Sequence, residues 1–407
     1  MSEILIDNFN EYQYLFEIVS AVINSKRVPK PINKINIETL YKISRENKFD
    51  SYLLYALNDN AIENVTEEFL QKAYFSLTKS INRSSVIDKT FCDIINLFEK
   101  NQIKNITLKG NYIKNYYPEN ELRYMIDIDI LVNEYDMKKI DELLKNEGYL
   151  FKTSGNIENE YTSKDGVSIE IHKNLLNNTK KNNDFFDNVW DNAIIRKNYK
   201  YAYYLDEVTF YLYMVKHCLK HFFSGGFSAR MVLDFYVFDM FISSEKINNE
   251  KNKKLKEINL YVFAKRIEEI SNRWFSINGQ GVEFNLLDKY IIENKAMCNK
   301  QNFVLVNAVA IDKKGKKINR INYLSSKVFL SYKNLSKYYS NLLGKPYLYL
   351  FYYFCYLGCR LKQLFSKGVK FKTLSEINDI ENKKENITDM KNLISYFEID
   401  DFIEYGG

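Results

Sequence analysis

The stretch "MIDIDILV", Met125 to Val132, sets two carboxylates two residues apart inside an apolar run. Side chains alternate along a strand, so Asp127 and Asp129 project from one face about 6–7 Å apart. Ile126, Ile128 and Ile130 are then expected on the opposite, buried face. Downstream, "SIEIH" repeats the pattern: Glu170 and His172 share a face, with Ile169 and Ile171 behind them. If the two strands are neighbours, Asp127, Asp129 and Glu170 converge. Clustered carboxylates repel one another unless a cation sits among them. Oxygen ligands in that number suit Mg²⁺ or Mn²⁺, and two such ions about 3.5–4 Å apart can clamp an in-line phosphoryl displacement. The plain alternative is a strand with one wet, acidic face.

Seventeen residues before Asp127 stands Gly110, in Leu108-Lys109-Gly110. A glycine between a strand and a helix lets backbone amides approach a phosphate, and the helix start adds favourable partial charge. Lys109 or Arg123 offers a fixed positive charge nearby. His172 is read either as a surface strand residue or as a contact to phosphate or acceptor.

The elements that must hold these groups follow from periodicity. Residues 1–100 read as helices, for example "IETLYKISRENKFDSYLLYALND" and "SSVIDKTFCDIINLFEKN". "NITLKG" is a short β-like run, "NYIKNYY" is helical, and "YDMKKIDELLKNEGY" is an amphipathic helix closed by Gly148. "EYTSKDGVSIEIHKNL" reads as a hairpin with Asp165-Gly166 as its tight turn. Helical texture returns in "DEVTFYLYMVKHCLKHFF", "ARMVLDFYVFDMFI", "LYVFAKRIEEISNRWF" and "FNLLDKYIIEN". The fold class is α+β, a small mixed sheet flanked by N- and C-terminal helical regions.

"LKGNYIKNYYPENELRYMIDIDILV", followed by "IEIHKNLL", resembles the nucleotidyltransferases of the DNA polymerase beta superfamily. Within that superfamily it is most similar to the bacterial "uncharacterised nucleotidyltransferase" family. The resemblance implies metal ligands at Asp127, Asp129 and Glu170, with Gly110 in the triphosphate-binding turn. The chain departs from the broader pattern at Asn111, which stands where serine or glycine is usual, so a side-chain amide takes the place of a hydroxyl. The likeness extends to "SYLLYAL" at 51–57, to His217, His221, Arg230 and Asp234, and to "YLYLFYYFCYLGCRL". It covers most of residues 40–365. The implied organisation is an N-terminal helical region at 1–100, a nucleotidyltransferase α/β core at 101–200, a helical domain closing the nucleotide cleft at 201–300, and a C-terminal helical region with a polar tail at 301–407.

Several side chains carry two readings. His217 and His221, at i and i+4, are contacts to nucleotide or acceptor, interface histidines, or part of a zinc site. Arg230 contacts the nucleotide, reached through the Gly-Gly loop of "FFSGGFSAR", or forms only an i, i+4 ion pair with Asp234. The aromatic run from Pro346 to Cys359 is too short to span a bilayer and is expected as a buried helix. The basic segment "EKNKKLKE" is expected as a solvated helix or loop.

Composition narrows the class. Of 407 residues, 58 are Lys or Arg and 52 Asp or Glu, giving a scattered net charge of +6 that is unlike a concentrated nucleic-acid face. Five cysteines without a paired motif exclude a disulfide framework and a zinc finger. Cys355 and Cys359 are expected as buried free thiols. No basic leader precedes an apolar segment, which fits a reducing cytoplasm. The expected function is transfer of a nucleoside monophosphate from a nucleoside triphosphate to an acceptor hydroxyl. The small charge favours a small-molecule, sugar, peptide or protein acceptor over RNA, and a partner protein is compatible. Two alternatives stay open: a metal-dependent glycosyltransferase using the D-x-D pair, and a non-catalytic nucleotide- or partner-binding module.

Overall fold

The computed structural model describes residues 7–63, 65–155, 157–175, 189–242, 244–277, 284–294, 300–313, 345–365 and 384–402, with isolated positions between them. Two compact units emerge: Met1–Lys216 with Ser228–Ala296, and His217–Phe227 with Met297–Gly407.

The first unit opens with helices α1 (Phe9–Ile23), α2 (Ile37–Asn47), α3 (Leu53–Asn58) and α4 (Glu67–Lys100). Asn36 caps α2 by accepting from the Thr39 amide at 2.9 Å, and Lys48 ends it in the left-handed region at φ 64°. The helix expected to run on through Lys48 is therefore broken there. The 34-residue α4 is capped by Thr66, whose hydroxyl accepts from the Phe69 amide.

After α4 come β1 (Asn105–Thr107), the short α5 (Lys109–Ile113), β2 (Asp127–Val132) and α6 (Met137–Asn146). Strands β3 (Leu150–Ser154), β4 (Glu158–Thr162), β5 (Ser168–His172), β6 (Ala193–Ile195) and β7 (Ala202–Leu205) complete a seven-stranded mixed sheet of order β3-β4-β5-β2-β1-β7-β6. The pair that matters most is β2 with β5, which run parallel. One face of the sheet buries Ile128, Ile130, Val132, Tyr161, Val167, Ile169 and Ile171 against α4 (Ile87, Phe91, Ile94, Ile95, Phe98) and α6 (Met137, Ile140, Leu144). Fully burying each such apolar side chain contributes about 1.5–3 kcal/mol. That burial fixes the register, since a slip of one residue would turn every acid inward.

Ile126 departs from expectation. It lies before the strand and is 45% exposed, and Met125 enters the core in its place. The hairpin turn also shifts by one residue. Lys164 and Asp165 form its centre, Gly166 accepts the left-handed conformation at φ 75°, and its amide donates to the Ser163 carbonyl at 3.0 Å.

The rest of this unit is helical: α7 (Glu207–Phe223, divided between the units after Lys216), α8 (Ala229–Phe241), α9 (Glu245–Glu257), α10 (Tyr261–Phe275) and α11 (Leu286–Asn294). The basic segment forms α9, and it is not simply solvated. Lys251 is 3% exposed, donates to Asp239 at 3.1 Å and Glu268 at 3.0 Å, and lies 4.2 Å from the Tyr211 ring centroid.

The second unit contains α12 (Lys300–Lys313), α13 (Tyr349–Phe365) and α14 (Lys384–Tyr396). Helix α12 packs against α14, so the start of the polar tail is an ordered helix. The aromatic helix α13 corrects the sequence reading. Tyr356 is buried with Leu335 and Leu342, but Tyr347, Leu350, Phe351 and Phe354 are exposed, as is Cys355. A helix apolar all round presents more apolar surface than contacts on one side can cover. Cys298 and the side chain of Cys359 lie outside the described residues. Among the described residues, no helix is long and apolar enough to cross a membrane.

Candidate active site

The acidic face is assembled by strand register. On β2 and β5, Asp127 pairs with Ser168, Asp129 with Glu170, and Leu131 with His172. On the far side of β5, Glu160 pairs with Glu170 and Glu158 with His172. Glu170 thus lies between two carboxylates on adjacent strands. Like charges directly opposite one another destabilise a sheet unless something neutralises them.

Here the neutralising groups are Lys109 and His172. Lys109 Nζ donates to Asp129 Oδ1 at 2.6 Å and lies 3.7 Å from Glu170 Oε2. His172 Nε2 is 2.9 Å from the same Asp129 oxygen and 3.4 Å from Glu170 Oε2, while Nδ1 is 3.2 Å from Glu158 Oε2. Lys109 holds φ 42°, a left-handed backbone that L-residues reach at some strain. The strain falls at the first residue of α5, immediately after the Leu108 amide donates to the Asp129 carbonyl.

Burial alone would raise the Asp129 pKa, but the Lys109 ammonium and His172 hold it well below the ordinary carboxylate range. Asp127 behaves oppositely: burial and the Asp129 charge push it up to about 6, against Lys109 and Arg230. Burial pulls His172 down, yet its hydrogen bonds to Asp129 and Glu170 leave it above the ordinary imidazole value. Burial raises the Tyr213 phenol beside Lys109 and keeps it a neutral hydroxyl.

The ligand atoms of Asp129, Glu170 and His172 all lie within 4.8 Å of one another, as do those of Glu158, Glu160 and Glu170. The structure therefore brings together Asp129, Glu170, His172 and Lys109. Asp127 stands two residues along the strand and is not in either group. His172 is 3% exposed, not a surface residue. Glu158 and Glu160 were not anticipated from sequence, although "ENEYT" carries the same alternation, with Tyr161 on the core side.

Gly110 is buried, and a Cβ there would lie 2.8 Å from Arg123 Nη1 and 3.1 Å from Met125 Cε. The glycine is needed because the Arg123 side chain crosses it. Arg123 is already engaged: Nε and Nη2 donate to Asp234 Oδ1 and Oδ2 at 3.1 and 2.8 Å. The Tyr117 hydroxyl donates to Asp234 Oδ1 at 2.7 Å. The i, i+4 reading of Arg230 with Asp234 is thus overturned, because Arg123 claims both carboxylate oxygens. Arg230 instead donates to the Tyr124 carbonyl at 2.7 Å.

Asn111 is 3% exposed, and its side-chain Nδ2 and Oδ1 are both buried without a partner. An unmet buried amide costs about 1–3 kcal/mol. His217 and His221 share a face of α7 with Nε2 atoms 3.1 Å apart, and both fall in the second unit. Among the described residues they belong to no group of three metal-ligating side chains.

A search of the curated proteins gives no match. The family model described as "Uncharacterised nucleotidyltransferase" matches residues 33–275, which include every strand of the sheet and the whole acidic face. The chain belongs to the uncharacterised nucleotidyltransferase family.

Proposed function

We propose that this chain is a divalent-metal-dependent nucleotidyltransferase. It moves a nucleoside monophosphate from a nucleoside triphosphate to an acceptor hydroxyl. The acceptor oxygen forms a bond to the α-phosphorus, the bond from that phosphorus to the bridging oxygen of the β-phosphate breaks, and pyrophosphate leaves. The observation that carries the reading is the parallel register that sets Asp129 opposite Glu170, with Asp127 and His172 on the same face.

The donor set fits Mg²⁺ or Mn²⁺: hard carboxylate oxygens with one imidazole nitrogen, all within 4.8 Å. Asp129 and Glu170 would hold the cation, with Asp127 completing the ligand face. The ion would supply Lewis acidity toward phosphate oxygens and lower the pKa of the acceptor hydroxyl. Lys109 competes for the same oxygens, and once displaced its ammonium is free to meet phosphate. The unpartnered Asn111 amide, one residue past Gly110, supports a role for this turn in holding the triphosphate. His172 steadies Asp129 and Glu170 through hydrogen bonds from the sheet itself.

The glycosyltransferase alternative calls for a long α/β region before the D-x-D strand. Among the described residues only β1 precedes β2, which favours nucleotidyl transfer. A small molecule, sugar, peptide or protein remains the favoured acceptor. Incubating the protein with each α-labelled nucleoside triphosphate and a cell extract tests the reading. Label should move to an acceptor with Mg²⁺ or Mn²⁺, stop in EDTA, and stop in Glu170→Gln. Transfer that survives both interventions would refute it.

A further inference from the structure

Three cations converge on one aromatic ring at the edge of the acidic face. Lys48 Nζ lies 5.2 Å, Arg83 Cζ 5.8 Å and Arg230 Cζ 5.9 Å from the Tyr124 ring centroid. They come from separate elements: the left-handed residue that ends α2, the middle of α4, and the first turn of α8. All four side chains are half-buried, so solvent reaches the cluster.

The two guanidinium groups are held on the backbone leading into Asp127. Arg83 Nε and Nη2 donate to the Met125 and Ile126 carbonyls at 2.7 and 2.8 Å, and Arg230 Nη1 donates to the Tyr124 carbonyl. Tyr124 stands three residues before Asp127, within roughly 10 Å along an extended chain.

None of the three has a carboxylate within the 4.0 Å of an ion pair among the described residues. Five other shielded cations of this unit do have one: Lys109 on Asp129, Lys114 on Asp88, Arg123 on Asp234, Lys251 on Asp239 and Glu268, and Arg273 on Asp288. Arg196, lone among aromatic rings, is an isolated case without one among the described residues. Arg230 Nε is also shielded from solvent with no acceptor. Three like charges around one ring repel; its π-face attracts them weakly, and Asp234 and Asp127 act on Arg230 only from beyond ion-pair distance. Guanidinium groups with free donors beside an ammonium suit phosphate oxygens.

We propose that Lys48, Arg83 and Arg230 form a phosphate-binding subsite beside Asp127, which takes the polyphosphate tail of the donor. That assignment of the occupant rests on the nucleotidyltransferase reading. A phosphate carried by the acceptor has the same chemistry, and the test separates the two.

The test uses the full-length protein and calorimetry at fixed ionic strength with sodium tripolyphosphate in EDTA. Wild type should bind, and Lys48→Met should weaken binding roughly fivefold or more. Lys48 Nζ donates no hydrogen bond to a described residue, so this variant keeps the fold even if Arg83→Met or Arg230→Met does not. Tripolyphosphate that fails to bind wild type, or binds Lys48→Met equally well, overturns the subsite. A donor-tail site requires Lys48→Met to weaken binding of the preferred nucleoside triphosphate but not of its monophosphate. An acceptor-phosphate site leaves triphosphate binding unchanged, while inorganic phosphate still binds the nucleotide-loaded wild type. Asp127→Asn leaves all three cations in place and should not weaken tripolyphosphate binding. Turnover that survives Asp127→Asn would therefore sink the catalytic reading without touching the subsite.

Discussion

At the residue scale, Asp127 and Asp129 do different structural work on the acidic face. Asp129 anchors Lys109 and His172, so Asp129→Asn would strand a shielded ammonium. Asp127 accepts no hydrogen bond from a described residue and is disfavoured as a charge, since burial pushes it up to about 6. Asp127→Asn is therefore the cleaner probe of chemistry, because it removes charge without breaking a pair. Lys109→Met should leave Asp129 and Glu170 without their internal counter-charge. Without nucleotide, Mn²⁺ should then bind roughly tenfold more tightly in an electron-paramagnetic-resonance titration. Unchanged affinity would show that the ammonium does not compete for the ion. The Arg123–Asp234 pair is different in kind, being well shielded and bidentate. Breaking it with Asp234→Asn should cost about 3–5 kcal/mol in urea unfolding.

At the level of elements, the acidic face was legible where alternation and burial agree. "IDIDILV" and "SIEIH" each set apolar side chains on the core face at every second position, so the strands and the facing of their acids could be read directly. Strands β3 and β6 were not readable: β3 is exposed at every position and β6 has only three residues, so neither carries a one-sided pattern. The ion-pair alternative for Asp234 failed because helix spacing offers only Arg230 locally, whereas Arg123 arrives from 111 residues away. The cluster on Tyr124 had no signal at all, since its cations come from segments far apart in the chain. At Gly110 the passage of Arg123 adds a steric demand, beside the phosphate approach expected there, that the sequence did not show. Gly110→Ala should displace that guanidinium and destabilise the fold by about 1–3 kcal/mol. Between α8, α9 and α10, one ammonium serves two acids. Lys251, Lys265 and Tyr211 hold Glu268 low against its burial, whereas burial pushes Asp239 up to about 6. A raised folded-state carboxylate pKa contributes stability that is full below its unfolded value and lost as pH rises through the folded value. Stability should thus fall between about pH 4 and pH 6, by on the order of 3 kcal/mol from this group. Asp239→Asn should flatten that slope in thermal or urea unfolding across the same window.

For the whole molecule, one side of the sheet is committed to packing and the other to polar chemistry. Helices α4 and α6 seal the first, which leaves the carboxylates of β2, β4 and β5 gathered on the second. Ligands that bind only the folded chain stabilise it, by about 2.7 kcal/mol at a hundred times their dissociation constant. A nucleoside triphosphate with Mg²⁺ should accordingly raise the melting temperature more than either alone. The central claim is that the acidic face, with a divalent ion, cleaves a nucleoside triphosphate between its α- and β-phosphates. Its most direct test is Mg²⁺-dependent pyrophosphate release by wild type and by Asp127→Asn, with unfolding of both followed in parallel. The account predicts that the variant keeps wild-type stability or gains slightly, and that release falls about a hundredfold or more. A folded Asp127→Asn protein that releases pyrophosphate at the wild-type rate would contradict it.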